Sequence, residues 1–194
     1  NDEKLVDNTL VILTSDNGGE QKIARNLPLS GAKQMLSEGG IRVPLILHWP
    51  AMLPAGQEFS MPISAMDLTA TIATAAGVKP APSKLFDGVD LVPALKGKLD
   101  LDYDRPLFFR RRNVSVREGL NAIRQSAVRK GDWKYLRTYR PVGSGKYQTA
   151  LYNLKRDISE KKNVAAAYPE VVKGMSDLLG QWEHEMSKTA ESFP

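Results

Sequence analysis

Cysteine is absent from the 194-residue sequence, and histidine occurs only twice. The first absence excludes disulfides, thiolate metal sites and a cysteine nucleophile within these residues. The second leaves only His48 and His184 to supply imidazole, so a zinc site here would have to rely on carboxylates. Any bound metal is therefore expected to be a hard cation with oxygen ligands.

Long hydrophobic runs are also absent. No apolar stretch reaches the length that a membrane-spanning helix requires. We therefore expect no membrane partner. Hydrophobic residues nevertheless make up 42% of the sequence, which is enough to build a sizeable core and argues against general disorder.

Acidic residues are scarce in one part of the chain. Residues 105–162 hold 16 Lys and Arg against 4 Asp and Glu, whereas the remainder holds 11 against 18. Such asymmetry suggests an anionic partner, and the alternative is a solvated, arginine-rich face of a sheet. No nucleic-acid-binding motif accompanies the charge, so we expect no nucleic-acid partner. A non-catalytic module that binds a polyanion remains an alternative.

The first half of the sequence predicts an α/β arrangement. Residues 9–14 are continuously apolar and β-branched in their interior, a pattern typical of a strand buried on both faces of a parallel sheet. Residues 43–49 are predicted to form a second buried strand, with Pro44 near its start. Residues 18–42 between them read as a long functional loop with a helical turn at 31–37. A capping box that begins at Ser64 then predicts a helix ending at Gly77.

The second half changes to a period of two. Four antiparallel strands are predicted, at 107–109, 122–129, 133–139 and 150–154, with polar side chains, many of them Arg, alternating outward. A helix begins at Pro169, and its apolar residues recur on one face that we expect to pack on this sheet. The predicted domains are 1–98, part of a larger α/β core, and 99–194, the sheet with its terminal helix.

Two oxygen-bearing side chains follow the first predicted strand. Ligands collect beyond the carboxyl ends of strands in α/β sheets, and Asp16 and Asn17 lie at that end. A carboxylate beside an amide oxygen suits Ca²⁺ or Mg²⁺, although two ligands are too few to complete a site. The alternative is an Asx turn, in which both side chains bond their own backbone.

Lys33 lies in the predicted loop, directly after Gly31 and Ala32. A lysine ammonium is a compact charge that suits one oxygen of a sulfate or phosphate, and its alternative role is a solvated surface charge. Residues 38–40, Glu-Gly-Gly, permit a tight backbone path into the second strand. Arg42 follows them and could pair with Glu38 or with an anion.

Taken together, these motifs resemble the second half of the catalytic domain of type I, formylglycine-dependent sulfatases, in the alkaline-phosphatase-like superfamily. The order and spacing of three segments carry the resemblance: TSDNG at 14–18, LPLSGAK at 27–33 and EGGIRVP at 38–44. It continues through HWP at 48–50, FDGVDL at 86–91, VRKGDWK at 128–134 and LYNL at 151–154. It covers essentially the whole chain, which is thus expected to be a C-terminal portion of a sulfatase.

The resemblance implies a role for each matching residue. Asp16 and Asn17 would be ligands of Ca²⁺, with Mg²⁺ the less favoured ion. Lys33 would bind the sulfate and act catalytically by stabilising the charge that develops as the S–O bond breaks. His48 receives no chemistry from the resemblance and is expected to be a buried, hydrogen-bonded structural residue, whereas His184 is expected to be exposed.

The family's nucleophile is not found in these residues. It is a formylglycine made within a Cys/Ser-x-Pro-x-Arg motif, and that motif is absent from the sequence. We therefore expect a preceding N-terminal half to supply the nucleophile and the remaining metal ligands. The 194 residues alone are expected to be inactive.

The resemblance also implies a partner and a location. The expected partner is a sulfate ester, with a sulfated glycan favoured by the basic segment, and the expected location is periplasmic or secreted. One alternative keeps the superfamily and changes the reaction to hydrolysis of phosphate or phosphonate esters. Asn17 argues against the two-zinc members of that group, which use clusters of Asp and His.

Overall fold

The computed structural model of the chain describes residues 5–78, 86–98, 101–113, 123–139 and 146–191. Contacts divide it into two compact units. The first unit comprises Asn1–Thr14 and Pro44–Arg105, and the second comprises Ser15–Val43 and Pro106–Pro194. The predicted domain boundary between residues 98 and 99 stays a prediction. The segment that carries the candidate site residues, Ser15–Val43, groups with the C-terminal sheet.

Short helices and strands make up the first part of the chain, and longer strands and one long helix make up the rest. In chain order they are a 3-10 turn at Val6–Asn8, β1 (Val11–Thr14), α1 (Glu38–Ile41), β2 (Leu45–His48), α2 (Ala65–Ala75), α3 (Val92–Leu95), β3 (Leu107–Asn113), β4 (Ile123–Lys130), β5 (Trp133–Tyr139), β6 (Tyr147–Asn153), a 3-10 turn at Ala165–Ala167 and α4 (Pro169–Glu191). None of the helices in the described ranges combines the length and hydrophobicity needed to cross a bilayer.

Strands β1 and β2 pair with each other, but not as the sequence predicted. They are antiparallel, with Val11 opposite His48 and Leu13 opposite Ile46. These four side chains share one face of the pleat, and that face is open: Leu13 is 60% exposed and Ile46 is 58% exposed. The prediction of strands buried on both faces was therefore wrong for this chain, and so was the prediction that His48 is buried. Nothing in the described part of the chain covers that apolar face.

Asp67 at the start of α2 organises the first unit. Its buried carboxylate accepts two hydrogen bonds from Arg105, at 2.8 and 2.7 Å. It also accepts the backbone N–H groups of Ser64, at 2.7 Å, and Val89, at 2.9 Å. Burial alone would raise the pKa of Asp67, but the hydrogen bonds from Arg105, Ser64 and Val89 together lower it below its usual value. The predicted helix start at Ser64 is confirmed.

The turn at residues 86–91 is held by the same helix. The Thr71 hydroxyl donates to the Asp67 carbonyl at 2.7 Å and accepts the Leu91 N–H at 2.9 Å. Gly88 lies so close to α2 that a Cβ there would approach the Met66 carbonyl to 2.2 Å. Only glycine fits at this contact, which explains the glycine within the turn.

The second unit contains a four-stranded antiparallel sheet, in the order β3-β4-β5-β6. All four predicted strands are confirmed, and so is the helix that begins at Pro169 and packs on the sheet. A row of residues in register crosses the sheet beneath α4 and forms the core with two helix residues: Val128, Tyr135, Leu151, Met175 and Leu179. At the edge, the rings of Phe108 and Trp182 stack with centroids 5.1 Å apart.

Several cations of this sheet do not alternate outward, as the sequence had suggested. Arg137 is buried, and its guanidinium contacts Glu183 of α4 at 2.9 Å and the Ser176 hydroxyl at 2.9 Å. Arg124 contacts the same Glu183 carboxylate at 3.4 Å. Arg124 and Arg137 therefore bind α4 to the sheet and do not contribute to a free basic surface.

The first testable prediction concerns the carboxylate of Asp67. Replacing Arg105 by alanine should lower the free energy of unfolding by about 2 kcal/mol at pH 7, because a buried charge loses its charged hydrogen-bond donor. The lowered pKa stabilises the fold above the unfolded pKa of about 3.9, and this contribution is lost as pH falls through the folded pKa. The difference between wild type and variant should thus shrink below about pH 4.

Urea unfolding of the purified protein, followed by circular dichroism at pH 7 and pH 3, measures both effects. Lys98→Ala is the matched control, since it removes an exposed cation from the same unit. An equal loss of stability in Arg105→Ala at the two pH values would contradict the assigned role of Asp67.

Candidate functional site

The segment Ser15–Val43 folds back on itself and gathers the predicted site residues. The Gly18 N–H donates to the Gly40 carbonyl at 2.9 Å, and the Lys33 N–H donates to the Gly19 carbonyl at 3.0 Å. These two bonds tie the turn after β1 to Lys33 and to α1. The one helical turn that the sequence placed at 31–37 lies instead at Glu38–Ile41.

The glycines of this segment allow distant parts of its backbone to come into close contact. A Cβ on Gly18 would lie 1.7 Å from the Gly39 carbonyl oxygen. A Cβ on Gly40 would lie 2.1 Å from the Met35 carbonyl oxygen. Any larger residue would push these chains apart, so the glycines of both motifs are required by close approach.

Asn26 holds the same segment together from within. Its amide nitrogen donates to the carbonyls of Gly19, at 3.2 Å, and Gly31, at 3.1 Å. Its amide oxygen accepts the Gly19 N–H at 3.2 Å. Sequence reasoning missed this residue, because a single Asn in a polar loop gives no signal that distinguishes it from its solvated neighbours.

Asp16 and Asn17 lie on the turn, exposed and half-buried respectively. The Ser15 hydroxyl donates to the Asn17 carbonyl at 2.8 Å, which fixes the backbone of the turn. Within the described residues, no hydrogen bond or ion pair engages the side-chain oxygens of Asp16 or Asn17. The Asx turn is therefore not supported, and one anionic and one neutral oxygen are available to a cation.

This donor set fits a hard divalent cation but does not complete its coordination. Ca²⁺ takes about six to eight oxygen ligands in proteins. Among the residues that the structure describes, no group of three or more His, Cys, Asp and Glu side chains could hold a metal ion. If a cation binds here, Asp16 and Asn17 are the ligands that this turn offers it.

Lys33 is exposed, and no acidic side chain of the described segments forms an ion pair with it. Its ammonium is therefore available to an external anion. The other cation that the sequence singled out, Arg42, lies 4.0 Å from a Glu38 carboxylate oxygen and is 52% exposed. Arg42 thus pairs weakly with Glu38, which is one of the two alternatives that the sequence predicted.

A buried cluster of charges lies beneath this segment. The Lys134 ammonium is 2.9 Å from Glu38 Oε1 and 2.8 Å from Glu160 Oε1, and its side chain is 0% exposed. The other oxygen of Glu160 accepts the Ser30 hydroxyl at 2.7 Å and the Glu38 N–H at 2.7 Å. Burial, followed by the charges of Glu160 and Asp157, raises the pKa of the adjoining Tyr152.

Comparisons with known proteins agree with the resemblance seen in the sequence. The family model described as Sulfatase matches residues 1–78, which include Asp16, Asn17 and Lys33. The human steryl-sulfatase is 30% identical over 224 residues, covering 98% of this chain. The N-acetylgalactosamine-6-O-sulfatase of Bacteroides thetaiotaomicron is 32% identical over 200 residues, covering 91% of this chain.

A solved structure gives the same result at the level of the fold. The crystal structure of Ps i-CgsB in complex with k-i-k-neocarrahexaose matches with a TM-score of 0.77 and 34% identity. The match covers 93% of this chain and 38% of that one. The chain likewise spans 38% of the human steryl-sulfatase and 36% of the bacterial sulfatase.

The fold class that the sequence predicts is present in the structure. The α/β class, the four-stranded antiparallel sheet and its packed terminal helix are all present. The relatives that match nearly all of the chain are sulfatases. The chain belongs to the sulfatase family of the alkaline-phosphatase-like superfamily.

Proposed function

We propose that the protein containing this chain hydrolyses sulfate esters, and that the chain contributes metal ligands and a sulfate-binding cation. One observation carries the proposal. The segment Ser15–Val43 joins the backbone of Lys33 to the turn that bears Asp16 and Asn17, through the 3.0 Å hydrogen bond to Gly19. The side chains of these three residues are uncommitted within the described residues.

Each of the three residues has a distinct task in this proposal. Asp16 and Asn17 would donate oxygens to Ca²⁺, whose charge attracts the sulfate and draws electron density from its sulfur. Lys33 would bind a sulfate oxygen and stabilise negative charge as it develops in the transition state. A lysine suits this task because its compact ammonium donates from several directions to one oxyanion.

The nucleophile would come from a part of the protein outside these 194 residues. A formylglycine would supply a hydrated aldehyde oxygen that attacks sulfur, and the sequence here contains no motif for its formation. The tasks of this chain are then binding, orientation and charge stabilisation. On this proposal the chain alone does not turn over substrate.

The relatives suggest two classes of substrate for this site. The bacterial relative is named an N-acetylgalactosamine-6-O-sulfatase, and the human relative is named a steryl-sulfatase. We propose a sulfated sugar, because the second unit is rich in cations and Arg110 of β3 is exposed. Arg124 and Arg137 pair with Glu183, so the proposal rests on cations of the unit that are exposed, such as Arg110. A periplasmic or secreted location would suit a sulfated glycan.

The reaction itself can be tested on the full-length protein that contains this chain. We expect hydrolysis of a sulfated amino sugar and of an aryl sulfate, with at least about 100-fold lower kcat/KM for the matching aryl phosphate. The 194 residues alone should give no turnover. Preference for the phosphate ester would support the alternative reaction, and preference for a steryl sulfate would overturn the sugar assignment alone.

Lys33 provides a second test of the proposed site. Lys33→Ala in the full-length protein should lower kcat by about 100- to 1,000-fold, because a fixed cation is removed from a developing anion. Lys22→Ala is the matched control, since Lys22 is an exposed lysine of the same segment. Steady-state kinetics on an aryl sulfate would measure both variants, and equal small effects would leave Lys33 as a surface charge.

Asp16 provides a third test, directed at the cation. Asp16→Asn should raise the Ca²⁺ concentration needed for half-maximal activity by at least about 10-fold, because an anionic ligand becomes neutral. Calcium binding measured by titration calorimetry should weaken in parallel. Glu20→Gln is the control, because it neutralises a nearby exposed carboxylate of the same segment. Unchanged calcium affinity in Asp16→Asn would remove Asp16 from the metal site.

A further inference from the structure

We propose that Lys134 is a positioning residue for Lys33, and that it acts through Glu160 and the two residues that Glu160 holds on either side of Lys33, Ser30 and Glu38. The inference rests on the proposed role of Lys33. Lys134 does not belong to that segment: it lies in the middle of the sheet, in β5, opposite Arg129 of β4 and Tyr152 of β6. A side chain from a strand that is paired on both sides therefore reaches the segment that bears the proposed sulfate ligand.

Glu160 connects Lys134 of the sheet to the backbone on both sides of Lys33. Its Oε2 accepts the Ser30 hydroxyl, three residues before Lys33, and the Glu38 N–H, five residues after it, each at 2.7 Å. The Ser30 carbonyl in turn accepts the Gly39 N–H at 2.7 Å. One carboxylate thus closes the loop at its base and leaves Lys33 at its exposed part.

We call the two bonds from Ser30 and Glu38 to Glu160 the Glu160 clamp, and charge explains why this clamp requires Lys134. Glu38 and Glu160 are both buried, with side chains 2% and 3% exposed, and two buried carboxylates repel each other unless a cation lies between them. Lys134 lies within 2.9 Å of both. Without Lys134, the two buried carboxylates would repel each other with no cation between them, and the base of the loop would open.

The backbone at Glu160 supports the same interpretation. Its φ angle is +53°, in the left-handed region that residues other than glycine rarely occupy. Such a conformation persists where surrounding contacts over-determine it, and it concentrates at functional sites. Here the contacts are those of the Glu160 side chain with Lys134, Ser30 and the Glu38 N–H.

A double-mutant cycle in the full-length protein tests whether Lys134 acts through Lys33. Lys134→Met should lower kcat/KM for an aryl sulfate by about 10- to 100-fold, because a displaced catalytic group loses its alignment. In the Lys33→Ala background the same change should cost less than about threefold, since no ammonium remains to be positioned. Equal costs in the two backgrounds would overturn the proposal.

Arg137→Met is the matched control for that cycle. Arg137 is also a buried, ion-paired cation of β5, but it contacts Glu183 of α4 and no residue of the Lys33 segment among the described contacts. Any general loss of stability should appear in both variants. Only Lys134→Met should be non-additive with Lys33→Ala, and a non-additive Arg137→Met would also count against the proposal.

Ser30→Ala keeps the proposal falsifiable if Lys134→Met does not fold. It removes one of the two bonds at the base of the loop and leaves the buried charges intact. We expect kcat/KM to fall by about 2- to 10-fold, the worth of one hydrogen bond, and the fall should disappear in the Lys33→Ala background. No fall, or an additive one, would overturn the proposal.

Hydrogen exchange separates this inference from the proposed function. If the wild-type protein hydrolyses no sulfate ester, the proposed function fails, yet the clamp can still be measured. Lys134→Met, or Ser30→Ala if it alone folds, should then speed amide exchange across residues 30–40 by at least about 10-fold and leave α4 unchanged. Arg137→Met should give the reverse pattern. Unchanged exchange at residues 30–40 would overturn the clamp regardless of activity.

Discussion

A single buried cation sets the structure of the second unit around the candidate site. Lys134 lies between two buried carboxylates and supplies the cation that balances their negative charge. Glu38 belongs to the segment Ser15–Val43, and Glu160 accepts hydrogen bonds from Ser30 and Glu38 of that segment. Both carboxylates therefore connect the segment to a cation of β5. The sheet is more than a scaffold for α4, since its other face supplies the cation beneath the site.

Above this base, the segment is shaped by contacts that only glycine permits and by one asparagine. Gly18 and Gly40 approach neighbouring carbonyls too closely for any side chain, and Asn26 links Gly19 to Gly31. The result is a loop held by bonds between distant parts of its own backbone, such as Gly18 to Gly40 and Lys33 to Gly19. Its charged side chains, Asp16 and Lys33, are left exposed, as a site for an external ligand requires.

The sequence predicted the periodic elements well because their patterns are local. Four strands with a period of two and an amphipathic helix from Pro169 were found where expected. Residues 9–14 gave a wrong prediction, because a continuous apolar run is typical of a strand buried on both faces. Within the described ranges, β1 instead pairs with β2 alone. The roles of Lys134 and Asn26 could not be predicted, because neither follows from a periodic pattern. Lys134 contacts Glu38, which is 96 residues away in the sequence. Asn26 bonds to backbone groups of the loop, the Gly31 carbonyl among them, and a side chain's bonds to loop backbone leave no pattern in the sequence.

Desolvation decides which of the chain's many cations are available for recognition. The net charge of residues 105–162 suggested a broad basic surface, but Lys134 and Arg137 are buried and Arg124 is paired with Glu183. A cation that is taken from water must keep its counter-ion, so these charges are committed to the fold. Lys33 lies in a segment with far less positive charge, yet it has no acidic partner among the described residues. Freedom from a partner, and not the density of charge along the sequence, identifies the residue that can bind an anion.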